Sequence, residues 1–559
     1  MKPAFNEAIA RAARHWLLVP CAIFVIAFLY RFNALGGALG GFDGDHFIYY
    51  LGARAVAHGE RPLRDFADAG VMGAWPALSY ELPAIAQRVL GETFFAEAVF
   101  TVSLLALALA VTAATAGGIA GRASAFVVVM ATLFASTKLY GYSKLLVFAV
   151  AASLFVRYVR QPTRARAAQL GAWSAIAFLF RHDYLVYLVA PVGILILSGT
   201  RGWRDAIDRL AVYTATVVVL LAGPVYSIHH YVGLDSYVAT ARALVAQEAN
   251  RTTFRWPRFG PVSGGLGAFL SDEGNAIAFL YDLSIALPIV ALLALIGSPR
   301  ATGLDTRQTR AVIASLAVLA LLLDRFFLRN NLGARFGDLG APLAILAAWL
   351  AWRLAAGDSL LRRGFVWAIA ALVLVPTLQA LETTGSVRHE LDTSGLSDSV
   401  KKIGRRLAVV STELRALPPS PVGLPDAEPN AAEYVRLCTA PTDHILVVAD
   451  APEILAMAGR PFAGGHPTFR PGFYTLESDQ RETLARLNQQ SVPVVLLDEA
   501  HSYTTHFVPQ FQLIHEHVMA AYDRAGVLPA SAGPPVQVFT ARGRAPSGRY
   551  RTTDLPCFS

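Results

Sequence analysis

Long apolar runs separated by short polar breaks occupy residues 1–382 and then stop. Eleven runs can be drawn, at 15–31, 95–120, 124–138, 144–159, 167–181, 184–199, 210–229, 275–297, 310–327, 338–356 and 364–382. An upright helix needs about 20 residues to cross the apolar core of a bilayer. Residues 124–138 and 167–199 are the short cases, where a re-entrant pair competes with full crossings. Residues 383–443 are polar and carry a Pro-rich stretch, RALPPSPVGLPDAEP, at 415–429. Beyond it HILVVAD (444–450), VPVVLLD (492–498) and VQVFTAR (536–542) have the length and apolar content of buried strands. Between them APEILAMAG and ESDQRETLARLNQQ are patterned as helices. The prediction is a polytopic α-helical membrane protein with about 11 transmembrane helices over residues 1–385, then a small α/β domain over residues 386–559.

Composition agrees with the pattern. The chain is 54% hydrophobic and 16% charged, where soluble proteins average about 25% charged. The first run, Trp16–Phe32, follows Lys2, Arg11 and Arg14 and leads into YRFNALGGALGGFDGD, which reads as a retained span. With the N-terminus inside, the cytoplasmic loops and ends collect 17 Lys and Arg, against 6 in the short outer loops. That asymmetry is what insertion into a cytoplasmic (inner) membrane imposes. An odd number of crossings then leaves the C-terminal domain periplasmic or extracellular. The outer side receives an acidic loop at 32–94, TKLYGYSK at 137–144, RHDY at 181–184, a loop at 230–274 and DRFFLRNNLGARFGD at 324–338. Chemistry is therefore expected there.

The α/β domain carries no Gly-rich phosphate loop, and its His501, His506, His515 and His517 lack a zinc spacing. Nothing points to a nucleic-acid partner. Cys21 lies in the first run; Cys438 and Cys557 lie near the ends of the outer domain, in a compartment where they can pair.

The stretch GFDGDHFIYYLGARAVAHGERPLRDF (41–66) places Asp43 and Asp45 just after the first run, with Asp65 and Asp68 further on. Phe47, Tyr50, Leu51, Ala55 and Val56 fall at helical spacing, which predicts an amphipathic helix lying along the outer interface. Asp45 stands where an N-cap would, so capping and catalysis are both open to it. Asp43 reads equally as a solvated loop acid, and Asp65 and Asp68 as acids that structure the loop. Asp43, Asp45 and His46 offer ligands suited to a divalent cation such as Mg²⁺, Ca²⁺ or Mn²⁺. Arg181, His182 and Asp183 form either an anion site or a local ion pair.

This segment resembles the first outer loop of the GT-C type membrane glycosyltransferases, in the dolichyl-phosphate-mannose protein mannosyltransferase and aminoarabinose transferase-like branch. Asp45, Tyr49, Ala53–Arg54, Gly59 and Asp65 match in order that branch's acidic pair, Tyr, Ala-Arg, Gly and Asp, and WPALSYELP follows. His46 departs from it, standing where the second acid of the pair is usual. The resemblance implies a GT-C-like fold and a sugar donor linked to polyprenyl phosphate. It also implies an acceptor hydroxyl on a glycan, lipid or protein, and inverting transfer by a carboxylate base. On this reading Asp45 is the base, with Asp43 the alternative. Arg181, Arg325, Arg329 and Arg335 hold the donor phosphate, and His46, Asp65, His182 and Asp183 support them. A transporter would instead place ionisable groups near the midplane of its spans. A non-catalytic assembly protein would use the outer domain and have no need of the acidic loop.

Overall fold

The computed structural model describes residues 2–35, 42, 44–68, 77–135, 138–251, 256–261, 265–296, 299–329, 334–355, 360–385, 387–396, 399–416, 427–448, 450–470, 472–498, 507–529 and 535–559. Each of the eleven apolar runs is helical: Lys2–Ala34, Phe94–Ala120, Arg122–Leu133, Tyr142–Arg160, Arg164–Phe180, His182–Gly199, Trp203–Tyr231, Glu273–Leu293, Thr306–Arg329, Gly340–Ala355 and Leu360–Gly385. Among the described residues, six helices are long and apolar enough to cross a membrane: Phe94–Ala120, Leu139–Arg160, His182–Gly199, Trp203–Tyr231, Glu273–Leu293 and Thr306–Arg325. Helix Arg122–Leu133 has 12 residues. At 1.5 Å per residue that is about 18 Å, short of the roughly 30 Å apolar core. The stretch 230–274, expected as a loop, contains the helices Leu234–Arg251 and Leu266–Leu270.

Contacts divide the chain into two units. The first comprises Met1–Ala34, Thr101–Gly223 and Thr252–Gly404. In it His182–Gly199 and Glu273–Leu293 both pack on Thr306–Arg329, and Arg122–Leu133 packs on Gly340–Ala355. Small residues set the closest approaches, as expected where helices associate without water to expel. A Cβ at Gly171 would lie 2.6 Å from the Tyr213 carbonyl, so only glycine lets those two helices meet. Val186, Val218 and Val219 turn outward and are exposed, an arrangement that lipid tolerates and water does not.

The second unit comprises Leu35–Phe100, Pro224–Arg251 and Arg405–Ser559. It contains a four-stranded sheet of β1 (Leu446–Val448), β2 (Val494–Asp498), β3 (Tyr522–Leu528) and β4 (Val536–Ala541), in the order β1-β2-β4-β3. β1 and β2 are parallel; β4 runs antiparallel to both β2 and β3. Three of these strands are the apolar stretches read from the sequence. β3 is not, because of its residues only Tyr522 and Leu528 are buried and the pattern between them is polar. Leu446, Val495, Phe511, Ile514 and Phe539 share the core of this sheet. A disulfide joins Cys438 to Cys557, closing helix Ala427–Cys438 onto the chain end, where the Phe558 N–H donates to the Cys438 carbonyl at 2.7 Å.

Helix Gly44–Ala57 belongs to this unit and is not the interfacial helix its spacing suggested. Residues from His46 to Val56 are almost all buried, because the helix packs between Leu78–Leu90 and Pro452–Ala458. Gly52 admits the Tyr80 ring, which a Cβ would meet at 2.5 Å. The segment after the helix is held by the α/β domain. Ala67 N–H donates to the Gly465 carbonyl at 2.8 Å, Arg486 Nη2 to the Arg64 carbonyl at 2.5 Å, and the Tyr474 hydroxyl to the Asp68 carbonyl at 3.3 Å. Gly465 has φ +79°, and a Cβ there would press on the Asp65 carbonyl at 2.9 Å, so this backbone contact requires glycine.

His466 lies inside the same junction. It is 5% exposed, bonded to Thr483 Oγ1 at 2.9 Å and stacked on Phe469. Burial first, and then the charge of Arg486, push its pKa down to about 3. Between the ordinary value near 6.5 and about 3, the unfolded chain therefore binds a proton that the folded chain does not. Stability from this group is complete above about pH 6.5 and is lost as the pH falls through that window. Glu60, raised by burial to about 6, acts in the opposite sense, contributing most below about pH 4.5 and losing its contribution as pH rises through 6. Melting of the second unit, followed at pH 7 and pH 4, should show a lower midpoint at pH 4. His466→Gln should flatten that difference; an unchanged slope would show that His466 is not its source.

Candidate active site

Asp45 lies in the first turn of helix Gly44–Ala57, where the helix dipole favours a carboxylate. Its Oδ1 accepts from Arg470 Nη2 at 2.6 Å. Arg470 Nε in turn reaches Asp450 Oδ1 at 3.0 Å, and the Thr468 hydroxyl donates to that same oxygen at 2.7 Å. The Asp45 side chain is 35% exposed and that of Arg470 16%, so the acid is reachable while its partner is largely enclosed. Burial alone would favour discharge of Arg470, but Asp450 and Asp45 outweigh it and hold the guanidinium above its ordinary range. Asp43 lies outside the described residues.

The neighbouring polar residues have other partners. His46 Nε2 meets Glu97 Oε1 at 3.0 Å, with both side chains 1% exposed. This buried pair anchors the helix. Asp65 accepts from Arg64 Nε and Nη2 at 2.7 and 2.5 Å and from the Arg61 N–H at 2.8 Å. Burial would raise its pKa, but these bonds outweigh that and hold it low. Asp65 therefore shapes the loop. Asp68 is fully buried and receives the Tyr80 hydroxyl at 2.9 Å. Arg54 bridges Glu92 at 2.9 Å and the Gly459 carbonyl at 3.1 Å. A divalent cation at Asp45 would meet the Arg470 guanidinium at once, and His46 faces Glu97. The described residues about Asp45 thus suit a fixed organic cation better than a metal ion, and among them no group of three His, Cys, Asp or Glu has metal-binding geometry.

The expected phosphate ligands lie in the first unit. Arg181 grips Asp183 bidentately, Nε–Oδ1 at 3.1 Å and Nη2–Oδ2 at 2.9 Å. Arg335 Nη1 meets Asp338 at 3.2 Å, and Lys144 Nζ meets the same carboxylate at 2.6 Å, both of those side chains being 3% exposed. Lys144 lies within the field of Arg181 and Arg335, and Asp183 within that of Lys144 and His182. Lys144, Arg181 and Arg335 thus lie together with Asp183 and Asp338. Arg325 is exposed; the Arg329 side chain lies outside the described residues.

Sequence reasoning missed Arg470, Asp450 and Glu97 and placed Lys144 in an outer turn. Lys144 instead sits in the first turn of helix Tyr142–Arg160. A lysine at the head of an apolar helix was the available signal, since intramembrane cations are seldom idle. For Arg470 the signal was weaker: one arginine between Phe469 and Pro471 in a stretch otherwise made for a core.

No protein-family model and no curated protein matches the chain in sequence. Solved structures do match in fold. ArnT from Cupriavidus metallidurans bound to undecaprenyl phosphate aligns with TM-score 0.51 and 13% identity, over 95% of this chain and 99% of that one. ArnT of the same organism in the apo state gives TM-score 0.48 and 14% identity, over 94% and 98%. The oligosaccharyltransferase AglB from Archaeoglobus fulgidus, in complex with an inhibitory peptide and a dolichol-phosphate, gives TM-score 0.47 and 13% identity, over 92% of this chain and 73% of that one. The fold assignment rests on the first of these. That alignment spans nearly the whole of both chains, and the protein has the GT-C fold.

Proposed function

We propose that the protein is a membrane glycosyltransferase that moves a sugar from a polyprenyl-phosphate-linked donor to an acceptor hydroxyl, with inversion, at the outer face of the cytoplasmic membrane. The observation that carries this reading is the match over 95% of the chain to ArnT bound to undecaprenyl phosphate. In the proposed reaction the acceptor oxygen attacks the anomeric carbon while Asp45 takes its proton. The bond from that carbon to the phosphate oxygen breaks, and the leaving phosphate gains negative charge. Lys144, Arg181 and Arg335 supply cations for that charge, with Arg325 and Arg329 in the same outer segment as further ligands. No nucleophile and no covalent intermediate are required. The reading includes a cytoplasmic N-terminus and places the acidic loop 32–94 and the domain 386–559 outside, where lipid-linked sugars are displayed.

The test is turnover by the reconstituted full chain with a panel of undecaprenyl-phosphate-linked pentoses and hexoses and a cell-envelope acceptor fraction. Undecaprenyl phosphate should be released stoichiometrically with product, and the anomeric configuration should invert. Retention of configuration would remove the single-displacement mechanism. Absence of release across the panel would favour a non-catalytic assembly role.

A further inference from the structure

Resting on the glycosyltransferase reading above, we infer that Arg470 is a positioning residue of the transfer reaction, setting the place and the charge of the Asp45 carboxylate from within the C-terminal α/β domain. Three independent features carry this. The first is how the guanidinium is used. Its Nε edge is taken by Asp450 at 3.0 Å and its Nη2 by Asp45 at 2.6 Å. A planar fork bound on two sides has no rotational freedom left, unlike a lysine ammonium in the same place.

The second is the anchoring of the backbone on either side. Phe469 is buried and packs edge-on against Phe507 and Phe511. Thr468 is tied to Asp450 at 2.7 Å. The Phe473 N–H closes a turn onto the Arg470 carbonyl at 3.1 Å, the Gly472 N–H donates to Gln510 Oε1 at 2.5 Å, and Tyr474 is held at φ +54°. A bulky residue kept in that conformation marks a segment whose shape the surrounding packing dictates. Arg470 therefore projects from a rigid base.

The third is that the acid and the arginine are kept in register by contacts that involve neither. Arg54 on the Asp45 helix donates to the Gly459 carbonyl at 3.1 Å, and Ala67 donates to that of Gly465 at 2.8 Å. The Phe66 and Phe462 rings meet edge to face, 5.8 Å between centroids. The pair is thus not a chance meeting of two surface charges. A surface pair would gain little from such support, whereas a base has to be held within a fraction of an ångström of its working position.

Asp45 and Asp450 share the Arg470 guanidinium, two carboxylates on one cation. Removing the guanidinium leaves the carboxylates without the cation between them, which favours protonation of one of them. The acid limb of the rate profile should then move to higher pH.

The experiment compares the wild-type full chain with Arg470→Ala, Arg470→Lys, Asp450→Asn and Asp45→Asn, using the undecaprenyl-phosphate sugar that the wild type turns over. Arg470→Ala should lower kcat by about 10- to 100-fold, the range expected when a reacting group is misplaced by about an ångström. KM for the donor should stay within about twofold, and the acid limb should shift upward. Arg470→Lys, which keeps the charge but not the fork, should recover part of kcat and most of the pH profile. Asp450→Asn should lower kcat in the same sense by a smaller factor. Melting curves of each variant separate unfolding from misplacement; if Arg470→Ala fails to fold, Arg470→Lys and Asp450→Asn decide. Wild-type kcat and pH profile in the folded Arg470 variants, with Asp45→Asn inactive, would overturn this inference alone. An active Asp45→Asn, or a wild-type protein that turns over no such donor, would overturn the underlying reading and the inference with it.

Discussion

Asp45→Asn is expected to express, fold and bind the lipid-linked donor, and to lose about 10²- to 10⁴-fold in transfer rate. Asparagine keeps the size of the side chain and retains an acceptor oxygen for Arg470, now 2.6 Å from Asp45 Oδ1, but it cannot take a proton at the pH of the reaction. The stability loss should be small. Asp45 is 35% exposed, and an ion pair with so much solvent about one partner contributes only about 0–1 kcal/mol. Arg470 also keeps Asp450, so no buried cation is stranded. Rate and stability therefore separate in one variant. Release of undecaprenyl phosphate measured beside a melting curve checks both. Near-wild-type transfer by Asp45→Asn, with Asp43→Asn inactive, would move the base to Asp43. If both variants are active, the acidic segment is structural.

The second large effect is expected in the first unit. Asp338→Asn should destabilise the protein by about 3–5 kcal/mol, the usual consequence of stripping one partner from a buried charge pair. Asp338 is the shared acceptor of Lys144 at 2.6 Å and Arg335 at 3.2 Å. Its neutralisation leaves two cations close together, one of them 3% exposed. Lys144→Met should have a smaller effect, because Asp338 keeps Arg335 and no like charges are left facing each other. The order of the two variants is the sharp part of this prediction. Thermal melts in detergent at fixed pH measure it, and a Lys144→Met variant less stable than Asp338→Asn would contradict the described charge arrangement.

These expectations draw on different kinds of information. The helical elements were legible in the chain, because apolar runs of that length can bury their backbone groups only by forming helices. All eleven runs are helical, though Arg122–Leu133 is too short to cross a bilayer upright. β1 and β2 were legible for a similar reason: the described side chains of both are buried, and burial on both faces leaves a continuous apolar stretch; β4 keeps buried Val536, Val538 and Phe539, enough apolar content to mark it. β3, buried mainly at Tyr522 and Leu528, leaves no such mark. The acidic segment after the first helix was legible as a motif, and with it the fold.

What the residues about Asp45 do was decided only by the tertiary structure. Helical spacing in 47–56 was compatible with a surface helix, yet that helix is enclosed, because Leu78–Leu90 and Pro452–Ala458 cover its second face. Periodicity reports that a face is apolar and cannot say what else will be buried with it. His46 looked like a ligand beside an acid until Glu97, 51 residues on, took it into the core. Asp45 and Arg470 are 425 residues apart, and Lys144 and Asp338 194 apart. Local patterning is set by the backbone repeat of a helix or strand and extends only a few residues. A charge pair depends on where whole elements come to rest, so its partner is written in the packing of the folded chain and not in any stretch of it.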